Sequence, residues 1–488
     1  MLRIALLFVA LALAVEASWT CGGDLNAFAS DQNYKIDNCQ TTGNIVVGSI
    51  TNAEIVVANG AVGSFQVGEH IRNVTILIEN TNIKGFRLQV SESRITLNHV
   101  TFTETSAFSS VIRADDVDFN KGSTLNISSA VSIFDGGIYA GIVTASDVRL
   151  SGTVLKEASV IALHNCSFKR HLTSNPNFSV RGLWMDSSCV VSQQSRILVE
   201  NCTFDYAVPS GNSAFYIESK FASGAMFFLS NLNIATSGAT ADTIKFFLGT
   251  QKEISSSSLS FVDITINSVI NGPDTSGLIG AVTFLDAEFY NTSFTLERSK
   301  IVWTLAAAST FQTSSTISFG TCTFLESSLN FEDLEVDTHI QTTSNFAGDG
   351  IRFLSVTAVQ TKLQSTKCSF TFECRSSCAA FQMQNFNSTS SEILLSATTM
   401  SATRTASYGL LSLVVLMGTH SSHHTILTNS SLVVDGGATV LPNGVWMSVV
   451  SIQGGSKNPT CVMSDTILAI RNHRAQLVGD YFNAWVFP

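Results

Sequence analysis

The sequence predicts an elongated all-β fold, a stack of parallel coils along a single axis. Three observations carry that expectation. First, a short strand motif recurs without a fixed period. Residues 160–170 (VIALHNCSFKR) and 197–206 (ILVENCTFDY) each run as an alternating apolar strand closed by Asn-Cys-Ser/Thr-Phe. Weaker copies stand at 95–104 (ITLNHVTFTE), 288–295 (EFYNTSFT), 317–326 (ISFGTCTFLE) and 363–370 (LQSTKCSF). Units that cannot bury their own apolar side stack on their neighbours to do so. Second, 45% of the chain is hydrophobic but only 13% is charged, so polarity is carried largely by Ser and Thr, which suits half-buried strands. Third, 33 Phe stand against seven Tyr, and rings without a hydroxyl to satisfy suit a long, dry, stacked interior.

In chain order, residues 1–3 supply one positive charge, 4–15 (IALLFVALALAV) form an apolar stretch, and 15–17 give small-x-small chemistry for cleavage. Residues 1–17 therefore read as a secretory signal peptide, too short to span a bilayer. Residues 18–488 then read as a single solenoid. The longest later apolar run, 410–417 (LLSLVVLM), falls well below the ~20 residues a crossing helix needs and is expected as a buried strand or a strand pair. Residues 480–488 are too few for a lipid-anchor tail. The expected mature chain has no transmembrane segment of its own. It is secreted, or held on the extracellular face of the plasma membrane by a partner, or is a shortened relative of a membrane protein.

Strand candidates follow at 44–57, 74–79, 87–90, 94–102, 124–127, 214–217, 226–233, 259–267, 281–285, 296–304, 351–356, 392–396 and 432–434. Turn signals such as Asp135-Gly136-Gly137, Asn271-Gly272-Pro273 and Asp435-Gly436-Gly437 separate some of them. No capped amphipathic helix is evident. Tight two-residue links of the hairpin kind are few, which favours parallel coils. At roughly 25 residues per coil and ~4.8 Å of rise, a rod of about 90 Å would result. The regular domain spacing and Cys-Trp-Cys cores of tandem β-sandwiches are missing.

Loss of the leader removes Arg3 and Glu16 and leaves the net charge at −10, with no basic runs, which argues against nucleic acid as a partner. All ten cysteines lie beyond the leader, and an even number in an exported chain favours disulfides. Cys21 and Cys39 are candidates to close an N-terminal cap. Cys368, Cys374 and Cys378 are close enough for a small disulfide loop. Cys166, Cys202, Cys322 and Cys368 share one phase of the motif and should face one side, as bridges between adjacent coils or as a buried column of free thiols. Eight glycosylation sequons fit the same compartment: Asn73, Asn126, Asn165, Asn177, Asn201, Asn291, Asn387 and Asn429. The loop sites Asn177 and Asn387 are expected to be modified more often, whereas Asn165 and Asn201 need an exposed strand end.

The strand–Asn-Cys-Ser/Thr-Phe element resembles right-handed parallel β-helix proteins of the pectin-lyase-like class. In detail it is most similar to the large repetitive surface proteins of kinetoplastids, the dispersed-gene-family type and the membrane-associated proteins like it. The resemblance spans most of residues 30–460. It implies a surface or adhesive role, although such families usually end in transmembrane helices that this chain lacks.

The pectin-lyase-like class also holds polysaccharide hydrolases and lyases. Hydrolases pair aspartates, one protonating the leaving oxygen and one activating water. The nearest candidate set is Asp115, Asp116 and Asp118, with strand alternation placing Asp116 and Asp118 on one face and Asp115 opposite. A solvated turn is the plainer expectation for the cluster. His420, His423 and His424 have no acidic neighbour for a metal site, and Cys374-x3-Cys378 has no His partner for zinc. No Ser-His-Asp, Walker or dinucleotide motif is present. The favoured expectation is a non-enzymatic rod without cofactor, recognising glycans or cell-surface or matrix proteins along an extended face.

Overall fold

The computed structural model describes residues 17–18 and 24–471, apart from 91, 104–109, 136–142, 173–177, 250–252, 272–279, 307–312, 342–346, 375–377, 405–409, 422–423, 436–445, 454–455 and 458–459. The leader therefore lies outside the described residues, as does Cys21. Within them the chain is a parallel β-solenoid without an α-helix, in which each strand pairs in register with its equivalent one coil on.

One coil shows the plan. Ile112–Asp115 belongs to sheet A, Asp118–Phe119 to a short sheet B, Thr124–Ser128 to sheet C and Val131–Asp135 to sheet D. The next coil repeats it with Val143–Ser151, Val154–Leu155, Val160–His164 and Ser167–His171, each parallel to its predecessor. Sheet C is the most continuous, passing from Asn33–Asp37 through Glu54–Ala58, Thr75–Glu79 and Arg94–Asn98 to Thr460–Ser464. Coils are small at the start, with Asn52 and Asn73 equivalent at a spacing of 21 residues, and larger later, with Cys166 and Cys202 equivalent at 36. The expected strand at 44–57 is two strands, Ile45–Val47 and Glu54–Ala58, because a coil this small turns a corner between them.

The corners explain the recurrent motif. At each, one residue takes a left-handed conformation, as Asn165 and Asn201 do at φ 54°, a region Asn tolerates better than most residues. Its N–H still reaches the next coil: Asn165 N donates to Glu200 O at 3.0 Å. The residue before the corner and the corner residue both face outward, and the next side chain turns inward. That inward position holds Cys166, Cys202 or Cys368, and in later coils Thr398 or Ser430. Each donates to two carbonyls, one on its own coil and one on the coil before. Cys166 Sγ lies 3.3 Å from His164 O and 3.5 Å from Ile127 O, and Thr398 Oγ1 lies 3.2 Å from both Ser396 O and Ser365 O. The motif's cysteine thus serves as a hydroxyl would, satisfying carbonyls that the bend takes out of the ladder.

The same device serves other corners. Cys322 sits at the corner between sheets A and B and Asn291 at that between B and C, whereas Cys166, Cys202 and Cys368 share the corner between C and D. The expectation that Cys166, Cys202, Cys322 and Cys368 face one side is therefore corrected. The motif marks corners, and a coil such as that of residues 112–135 has three among the described residues.

The interior is a continuous apolar column. The motif phenylalanines Phe102, Phe168, Phe204, Phe294, Phe324 and Phe370 are all buried. On sheet A, Phe246, Phe284, Phe319 and Phe353 occupy one register position and stack face to face, with centroid separations of 4.8, 5.0 and 4.8 Å. Rings from other sheets, such as Phe294 against Phe284 at 5.2 Å and 77°, meet this column edge-on. Each such pair adds about 0.5–1.5 kcal/mol beyond area burial. The stacked interior foreseen from the Phe content is present.

Candidate functional site

Parallel register turns residues far apart in sequence into straight columns on the surface. On the outer face of sheet A one column reads Arg87, Arg113, Arg149, Trp184, Tyr216, Lys245 over consecutive coils. Rungs stand about 4.8 Å apart, close enough for planar groups to stack. The Arg149 guanidinium lies 4.4 Å from the centre of the Trp184 ring. Arg181, on the same strand as Trp184, stands 4.3 Å from that ring and 3.6 Å from Tyr216. Guanidinium and aromatic planes therefore alternate, and each cation–π contact contributes about 0.5–2 kcal/mol. Glu218 accepts from the Trp184 indole N–H at 3.4 Å.

The local sequence makes this arrangement inevitable once the coils stack. In Val148-Arg149-Leu150, Leu183-Trp184-Met185 and Phe215-Tyr216-Ile217 the flanking apolar residues are buried, so the central side chain points out. Burial pulls the Arg181 guanidinium below its ordinary value, and burial likewise lifts the Tyr216 phenol.

Charge satisfaction is uneven along the column. Asp115 takes both Arg113, at 2.5 Å, and Arg87, at 3.4 Å. Lys245 pairs with Asp242 at 2.6 Å. Arg149 and Arg181 have no carboxylate within ion-pair distance among the described residues, and Arg149 Nε is buried without an acceptor. Elsewhere some outward cations are paired, as Lys156 is with Asp118, Lys220 with Glu253 and Lys300 with Glu335, and others, such as Lys84, Arg94 and Arg196, have no carboxylate within ion-pair distance among the described residues. A shallow groove of about 520 Å³ along the corner between sheets C and D is lined by Asp263, Arg298, Lys300, Asp333, Glu335 and Lys367, whose charges alternate and largely neutralise one another. Another of about 490 Å³ at the corner between B and C is lined chiefly by Ser and Thr hydroxyls.

The aspartate cluster does not form the expected pair. Asp116 occupies a corner at φ 52°, which interrupts strand alternation. Asp115 is left on sheet A beneath its two arginines, and Asp118 lies on sheet B, 2.8 Å from Lys156 Nζ. Asp116 is exposed between them. All three face outward around a bend, so the placement of Asp116 and Asp118 on one face with Asp115 opposite is overturned.

Among the sequons, Asn73, Asn165, Asn201, Asn291 and Asn429 are exposed corner residues at positive φ, whereas Asn126 and Asn387 lie within strands. Asn387 is therefore not a loop site, and Asn177 lies outside the described residues. Cys39 is buried and disulfide-bonded. Cys368 is a free, buried thiol, which removes it from the expected loop with Cys374 and Cys378, because its donor capacity is spent on Phe331 O and Thr366 O. The side chains of Cys374, Cys378, His420 and His424 lie outside the described residues, as does His423. No cluster of His, Cys, Asp and Glu suited to a metal ion occurs among the described residues, and no helix there is long and apolar enough to cross a membrane.

Sequence reasoning missed Arg149, Arg181, Trp184 and Tyr216. Trp184 and Tyr216 are 32 positions apart, with nothing local to join them. The available signal was a bulky polar or aromatic residue at the outward position of successive strands, readable only once register is known. No protein-family model matches the chain, and no curated protein sequence matches it.

Proposed function

We propose that this chain is a non-enzymatic recognition rod, secreted or displayed at the cell surface, that binds extended glycans or glycan-bearing surface or matrix proteins along sheet A. The observation that carries the reading is the column from Arg113 to Tyr216. It is a preorganised, multi-coil surface that offers hydrogen-bond donors and ring edges in single file. A long shallow face suits an extended ligand better than a compact one. The secretory leader and the likeness to kinetoplastid surface proteins, both read from sequence, support the compartment.

The test is to incubate the purified chain with a polysaccharide panel and with cells, measuring both retention and release of new chain ends. Retention without cleavage, abolished by Trp184→Ala in a protein that keeps its β circular dichroism, is the expected result. Failure to bind any cell, matrix or glycan would end the adhesive reading. Cleavage that disappears in Asp116→Asn would replace it with a polysaccharide-degrading enzyme.

A further inference from the structure

The arginines of sheet A are placed against their own electrostatic interest. Parallel register sets Arg87, Arg113 and Arg149 on successive rungs, and like charges opposite one another on neighbouring strands repel. Asp115 serves two of them, and Arg149 and Arg181 have no carboxylate within ion-pair distance among the described residues, Glu218 bearing on Arg181 only from further off. Acidic residues are not scarce, since the chain carries 37 Asp and Glu against 27 Lys and Arg. Other exposed cations, such as Lys84, Arg94 and Arg196, also lack an ion pair, but among the described residues only Arg149 and Arg181 stand unpaired within a stack of guanidinium and aromatic planes, and that combination is where function is to be sought.

We propose that the column is a binding site for a linear anionic polysaccharide, whose carboxylate or sulfate groups seat on the guanidiniums of Arg113, Arg149 and Arg181. This rests on the recognition reading above and names the ligand class. The planar fork of Arg matches such groups in two-point hydrogen bonds. The rings of Trp184 and Tyr216 hold the Arg149 and Arg181 planes by stacking, so little side-chain freedom is lost when an anion arrives. The column is one residue wide and spans several coils, which fits a single extended chain bearing charges at intervals. Single-stranded nucleic acid, the other linear polyanion, binds by stacking bases on aromatic faces. Here guanidiniums already occupy ring faces, so base stacking has no platform.

The experiment is retention of the full chain on immobilised heparin, polygalacturonate, dextran and an oligothymidylate, at 50 and 200 mM NaCl. Heparin or polygalacturonate should bind, with an affinity that falls as salt rises, and dextran should not. The two anionic probes separate sulfate from carboxylate as the group recognised. Arg149→Gln with Arg181→Gln should weaken binding at least tenfold, and Arg298→Gln, on the C–D corner, should leave it unchanged. Should the double variant fail to fold, Arg149→Lys, which keeps the charge and loses the fork, should still weaken binding several-fold. Binding to dextran alone would overturn the inference and leave the recognition rod standing. Anion binding indifferent to Arg149 and Arg181, or stronger retention on the oligonucleotide, would overturn the inference too. Absence of binding to every probe, together with none to cells, would overturn both.

Discussion

Behind the column, Asp147 is the buried point on which several coils converge. Its carboxylate is 0% exposed and lies 2.8 Å from both Nε and Nη2 of Arg170, itself 2% exposed, on sheet D. The other oxygen accepts from the Tyr206 hydroxyl, one coil further on. Gly182 makes that reach possible, because a Cβ there would stand 2.6 Å from the Tyr206 oxygen. Asp147→Ala would strand the guanidinium in an apolar interior, and breaking a buried pair from one side costs about 3–5 kcal/mol. Asp147→Leu with Arg170→Met removes both charges at similar volume and should recover most of that loss. Tyr206→Phe should cost about 1–3 kcal/mol, because it withdraws one donor from a carboxylate that keeps its charged partner. Urea unfolding followed by circular dichroism, at constant m-value, measures all three. The reasoning fails if Asp147→Ala costs less than about 1 kcal/mol, or if the double variant is no more stable than the single one.

Two further predictions concern buried groups that titrate or react. Burial pushes the Cys189 and Cys322 thiols up to about 12, so neither they nor Cys368 should alkylate in the native protein at pH 8, and all should react once it is unfolded; Cys166→Ser and Cys202→Ser should shift stability by less than about 1 kcal/mol, since Ser430 and Ser327 already perform that corner role, and native labelling or a large loss on the serine change would contradict the assignment. Burial lifts the Asp349 carboxyl to about 6 from 3.8, outweighing Arg352 at 3.2 Å; the folded state then holds this proton more tightly than the unfolded one, so its contribution is present below about pH 4, declines as pH rises through about 6, and amounts to at most about 3 kcal/mol. Stability of wild type relative to Asp349→Asn, measured from pH 4 to 7, should fall by that order across the window, and a flat or rising difference would refute it.

The sequence revealed the repeat, the stacked Phe interior and most strands, because these depend on local alternation and composition. It misled where one backbone angle changed the phase. A run of Arg113 to Asp118 looks like unbroken alternation, yet the positive φ at Asp116 turns the chain and redistributes three carboxylates over two sheets. The arginine–aromatic column was hidden for a different reason. Arg149, Trp184 and Tyr216 become neighbours only through inter-coil register, and coil length varies along the chain, so no constant offset in the sequence aligns them.

That variation also explains why the Asn-Cys-Ser/Thr-Phe motif has no period. What recurs is a local solution to a bend: a residue able to adopt positive φ, then a small inward donor, then a strand residue facing out, then a large core ring. Thiol and hydroxyl are equivalent in the donor slot, as Cys202, Ser299 and Thr398 show at one corner, so a search keyed on cysteine samples the corners sparsely. The stack tolerates changes in coil length because each corner satisfies its own carbonyls and hands its N–H to the next coil. Fold and outer-surface chemistry are thereby separated. Inward positions and corners maintain the rod, and the outward register of sheet A changes in chemistry along it, from the arginine stretch at Arg87–Arg149 through the aromatic pair and Lys245 to Thr283 and Ser318, where it is fully buried. Only the stretch from Arg87 to Arg149 sets guanidiniums on successive rungs, with Arg181 stacked just beyond it, so any anionic ligand should be read there and not along the whole rod.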